Sequence, residues 1–75
     1  MTGEGYAVIL VHSTSHAIHL EKLLGKRGVV CKMIPVPRQL SSDCGVCVRV
    51  PRTQVEAVRE AVEASKIDVQ GIVHI

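Results

Sequence analysis

The sequence predicts an α+β domain: a four-stranded antiparallel sheet with two helices packed on one face. Three observations carry this. Two stretches with helical apolar period, 14–27 and 53–66, are each flanked by short runs rich in Val and Ile. No linker, low-complexity tract or second domain appears between these segments, and 75 residues make one domain, 1–75, with a thin core. Residues 1–5 read as a flexible N-terminus.

Taken in order, Tyr6-Ala-Val-Ile-Leu-Val11 is a continuous apolar run that fits a central strand buried on both faces. Ser13, Thr14 and Ser15 follow as candidate N-caps of a helix from about 14 to 27. Its stripe is Ala17, Leu20, Leu23 and Leu24, with His19, Lys22 and Lys26 off it and Gly28 as the left-handed stop. The second strand spans 29–36 and contains Pro35, with Pro37 just beyond, which favours a sheet edge because proline donates no ladder hydrogen bond. Val46, Val48 and Val50 alternate with Cys47 and Arg49 in the third strand, 45–50. Thr53 and Glu56 have the spacing of a capping box, and Val55, Val58 and Val62 form the inner face of the second helix. Arg52 with Glu56 and Arg59 with Glu63 are i,i+4 charge pairs that read as a solvated face rather than a ligand site. The segment 67–75 is the fourth strand. The order β-α-β-β-α-β is the ferredoxin-like split βαβ arrangement, and right-handed crossovers set its strand order at 4-1-3-2.

Composition narrows the function. The 47% hydrophobic content is almost wholly aliphatic, Tyr6 is the sole aromatic residue, and nine basic side chains face seven acidic ones without a run of one sign. Nucleic-acid binding, which needs basic stripes or stacking platforms, is not expected. The longest apolar run is far below the roughly 20 residues of a membrane span, so a cytoplasmic protein without a membrane partner is expected. Three cysteines, an odd number, suit reduced thiols rather than a disulfide framework.

The unusual stretch is Pro37-Arg-Gln-Leu-Ser-Ser-Asp-Cys-Gly-Val-Cys47. It lies in a connection longer than the roughly 2–5 residues a hairpin needs, and long connections in compact domains tend to carry function. In the 4-1-3-2 order, Cys44 at the entry to the third strand falls beside the turn His12-Ser13-Thr14. The helix that begins there offers backbone N–H groups and positive partial charge that stabilise a thiolate. Arg38 adds a second positive charge, Ser41 and Ser42 offer hydrogen bonds, Ser13 and Thr14 stabilise an anion, and His12 can supply a proton. Gly45 allows close backbone approach. Cys44 is equally readable as a small residue at a hairpin end. Cys47, three residues on along a strand, points to the opposite face, so a Cys44–Cys47 dithiol is not the expected arrangement. Cys31 reads as a core residue. His12, His16 and His19 do not complete a metal shell, because His16 and His19 diverge by about 60° around the helix. No metal and no cofactor are expected.

Two groups of residues then resemble a known family: His-Ser-Thr at 12–14 with Ala17 and Glu-Lys-Leu-Leu at 21–24, and I-P-V-P-R-x-x-S-S-x-C-G at 34–45. They are similar to the selenium/sulfur carrier-like family of small bacterial and archaeal domains, over about Tyr6 to Ile75. The resemblance implies that Cys44 is the carrier atom's holder and that His12, Ser13 and Thr14 form its accompanying turn. It implies a carrier rather than a turnover enzyme. A donor protein such as a cysteine desulfurase or a selenocysteine lyase would supply the atom, and an acceptor protein would receive it. Where the family usually has alanine or a plain aliphatic residue, this chain has Cys47. The rival reading is a small module in which Arg38 and the helix N-terminus hold an anion or a partner's carboxylate, with Cys44 incidental. A homodimer through the open sheet face is a further expectation, because that face would expose Val30, Ile34 and Ile72.

Overall fold

The computed structural model describes residues 5–37 and 45–75. Its elements are β1 (Tyr6–Val11), α1 (Thr14–Lys26), β2 (Lys32–Pro35), β3 (Val46–Pro51), a short 3-10 turn (Arg52–Gln54), α2 (Val55–Ser65) and β4 (Val69–His74). The strands form one sheet in the order β2-β3-β1-β4, with every neighbouring pair antiparallel. This is the 4-1-3-2 order expected from the sequence.

Strand alternation divides the apolar residues between two faces. Ala7, Ile9 and Val11 of β1, with Val48 and Val50 of β3, pack against Ala17, Leu20 and Leu24 of α1 and Val55, Val58 and Ala61 of α2. Both helices therefore cover the same face. Val8, Leu10 and Cys47 form a second buried cluster on the other face, flanked by Ile34, Val36 and Val73. The continuous run in β1 is thus buried on both sides.

Gly28 ends α1 as its position predicts, with φ +78°. Its N–H donates to Gly25 and the Val29 N–H donates to Leu24, and Val29 is buried behind them. That is the paired bonding of a Schellman stop, which satisfies two of the helix's orphan carbonyls. The stop also moves the second strand. Residues 29–31 carry the chain from the helix layer to the sheet, so β2 begins at Lys32 rather than at 29. β2 is an edge strand, where Pro35 is tolerated.

Three further expectations are corrected. Thr53 and Glu56 form no capping box: α2 begins after Gln54 with no side-chain cap, because residues 52–54 take a 3-10 turn instead. Among the described residues, neither Arg52–Glu56 nor Arg59–Glu63 closes as an ion pair. Arg52 instead donates to the Ile75 carbonyl at 3.2 Å. The Gly5 carbonyl accepts from the Arg52 N–H at 3.0 Å, and residues 1–4 of the expected flexible N-terminus lie outside the described residues. Of the three residues expected on the open face, only Ile34 is there. Ile72 packs into the helix-side core opposite Ile9, and Val30 is 71% exposed but precedes β2.

Candidate functional site

The site expected from the sequence is the end of the sheet where β1 finishes and β3 starts. β1 and β3 pair from Tyr6 with Pro51 to Leu10 with Cys47. Carried two residues further, that register sets His12 level with Gly45. On the other side, just past the end of β2, the Val36 N–H donates to the Gly45 carbonyl at 3.1 Å. Gly45 is exposed.

Of the three candidate caps, Ser13 is the one used. Its backbone is extended (φ −154°, ψ 163°), as an N-cap requires, and its hydroxyl oxygen accepts from the His16 N–H at 3.3 Å. The same hydroxyl lies 2.7 Å from His16 Nδ1. Ser13 is therefore engaged on two sides within its own turn, which fixes the orientation of the first turn of α1. No acidic residue stands in that turn to neutralise the positive end of the helix. Thr14 and Ser15 are exposed beside it.

His12 leaves β1 in the direction of β4. Its Nε2 lies 3.5 Å from Asp68 Oδ2, and its ring meets the His16 ring edge to face, with centroids 6.3 Å apart. Sequence reading missed Asp68, and the cause is local. β1 and β4 pair regularly from Ala7 with His74 to Leu10 with Gly71, then an irregularity shifts the register so that Val11 meets Val69. Without that bulge His12 would stand level with Val69; with it, the next residue, Asp68, comes into reach. The bulge re-aims one side chain, and its only sequence signal is the Gln70-Gly71 pair inside a strand.

Cys44, Arg38, Ser41 and Ser42 lie outside the described residues. The other two cysteines carry thiols rather than a disulfide. Cys47 is fully buried on the open face, paired in register with Leu10 and Ile34. Cys31 packs partly buried against the helix-side core, with its thiol directed at the Glu21 carbonyl at 3.7 Å. Burial, with a smaller contribution from the Glu21 carboxylate, pushes the Cys31 thiol pKa above its ordinary value. A thiol in that setting is a poor nucleophile at neutral pH. Among the described residues no group of three or more His, Cys, Asp or Glu side chains could hold a metal ion. No helix there is long and apolar enough to cross a membrane.

Comparison with known proteins matches residues 6–74 to the family described as "Putative Se/S carrier protein-like". The match spans nearly the whole chain, so the chain belongs to that family. No curated protein and no solved structure matches it.

Proposed function

We propose, with membership of that family as the premise, that the chain is a single-cysteine carrier of sulfur or selenium and that Cys44 holds the transferred atom. The observation that supports this most directly is the position of Gly45, the residue that follows Cys44. Its carbonyl accepts from the Val36 N–H, and it lies two residues before Cys47, the partner of Leu10, at the sheet end where α1 presents an N-terminus without a neutralising acid. Such an end favours a thiolate, which is the form that attacks sulfane sulfur.

In the transfer, the Cys44 thiolate attacks the terminal sulfur of a persulfide on the donor protein. A new S–S bond forms at Cys44 Sγ, the donor's S–S bond breaks, and its electron pair leaves on the donor's thiolate. His12, steadied by Asp68, is the group assigned to deliver a proton to that leaving thiolate. The second step mirrors the first, with an acceptor thiolate attacking the atom held on Cys44. Nothing is oxidised overall, because the transferred atom keeps its oxidation level. Selenium moves by the same steps through a selenosulfide. Arg38, Ser41, Ser42 and Thr14 are assigned to stabilise the anionic group, while the Ser13 hydroxyl serves the turn itself.

The test is intact-mass analysis after incubation with a small-molecule persulfide donor. Wild type, Cys31→Ser and Cys47→Ser gain one sulfur, and Cys44→Ser gains none. Equal loading of Cys44→Ser and wild type removes the proposal.

A further inference from the structure

The open face of the sheet is divided along its length. Near the ends of β1 and β2 it is apolar and buried, through Val8, Leu10 and Cys47. Toward the opposite end the same face carries Tyr6, Lys32 and Arg49. Lys32 and Arg49 are direct partners in the β2–β3 register, so two positive side chains stand roughly 5 Å apart at Cβ, an arrangement that disfavours the folded state. None of the four strands contains Asp or Glu. Among the described residues no carboxylate lies within ion-pair distance of either cation. Arg49 is half-buried and lies over the Tyr6 ring, with its guanidinium carbon 4.4 Å from the ring centroid. Stacking of this kind restrains the guanidinium plane without using its N–H donors, which remain available for a bidentate carboxylate. Tyr6 is 43% exposed and Lys32 is exposed.

Among the described residues, internal stability gives no reason for two cations side by side on an oriented platform. Charge complementarity does: carboxylates of another chain would complete them. We propose that the Tyr6, Lys32 and Arg49 patch docks an acidic segment of a partner protein, with one carboxylate gripped by Arg49 and a neighbouring one by Lys32. That this partner is the donor or acceptor of the transferred atom rests on the carrier reading above; the acidic chemistry of the segment does not.

The test titrates the 15N-labelled full chain with an acetylated peptide of alternating Glu and Leu, followed through backbone amide shifts. Saturable shifts centred on Tyr6, Lys32 and Arg49 are expected, weakened roughly tenfold in Arg49→Gln and more in the exposed charge reversal Lys32→Glu, and suppressed by raised salt. Lys32→Glu carries the test if Arg49→Gln folds poorly. Unchanged affinity in Lys32→Glu, or equal shifts around Lys22, Lys26 and Arg59, overturns the proposal. So does tighter binding of oligothymidylate at the same residues, or self-association of the chain that covers them. Persulfide loading of Cys44, measured on the same variants, is expected to stay at the wild-type level. Its failure in wild type would remove the carrier reading and leave peptide docking standing.

Discussion

At the sheet end where α1 begins, polar side chains meet partners from their own chain: His12 has Asp68 at 3.5 Å, and Ser13 has His16 at 2.7 Å. At the other end Lys32 and Arg49 stand opposite each other, and among the described residues neither meets a carboxylate. The first arrangement fixes a turn and orients an imidazole, which suits chemistry that needs groups held in place before a reactant arrives. The second leaves an electrostatic imbalance on a platform held by Tyr6, which suits recognition. On the proposed reading, one sheet of four short strands would keep the site that holds the atom apart from the surface that recognises a partner.

Both ends stand on the same helix-side core, so the largest expected effect is common to them. Leu20→Ala, at a fully buried site, should cost about 2–5 kcal/mol in chemical denaturation and release both ends together. If probes at Tyr6 and His16 unfold at different denaturant concentrations, the two ends are not one cooperative unit and the comparison fails.

Ser13→Ala acts on one end alone. Loss of the N-cap should cost about 1 kcal/mol and speed hydrogen exchange at the His16 amide, with no change around Arg49. Lys32→Glu acts on the other end with the opposite sign. It converts a like-charged cross-strand pair into an attractive one and should stabilise the domain by about 0.2–1 kcal/mol while abolishing acidic-peptide binding. A lowered denaturation midpoint for this variant would show that Lys32 and Arg49 do not repel in solution.

Asp68→Asn should change stability by less than about 1 kcal/mol, since the His12–Asp68 pair is exposed. Its signature is spectroscopic: the 15N shifts of the His12 ring should change, because the ring loses its charged neighbour at 3.5 Å. The smallest effect concerns Cys31. Its thiol keeps its proton to higher pH in the folded chain than in the unfolded one, so alkylation should begin at higher pH in the folded chain than in the denatured one. The same difference favours the folded state at neutral pH relative to alkaline pH, because the unfolded chain ionises first as pH rises. Glu21→Gln should bring the onset of alkylation down, while the burial contribution remains.

Much of the fold was legible because its signals are local and periodic. The double-sided burial of β1, the Ala17-Leu20-Leu24 stripe and the Gly28 stop each depend on a few neighbouring residues and on geometry that every helix or strand shares. The spacing of Thr53 and Glu56 misled for the converse reason: a capping box needs Thr53 as an extended N-cap just before the first helical turn, and the backbone takes a 3-10 turn over 52–54 instead. At the candidate site the His12-Ser13-Thr14 turn was readable, as was the family motif ending in Cys44 and Gly45. Asp68 was not, because its approach depends on a bulge between strands far apart in sequence.

By itself, then, the sequence determined the strand order, the position of α1, the family and the candidate carrier cysteine, since each follows from residue spacing and type. Only the tertiary structure decided that Asp68 meets His12, that Ile72 turns inward while Ile34 stays on the open face, and that Lys32 and Arg49 stand opposite each other over Tyr6. All three are consequences of register. A one-residue shift in pairing moves a side chain to the other face or to another partner, and register is set by contacts between segments whose separation along the chain hides them from any local pattern.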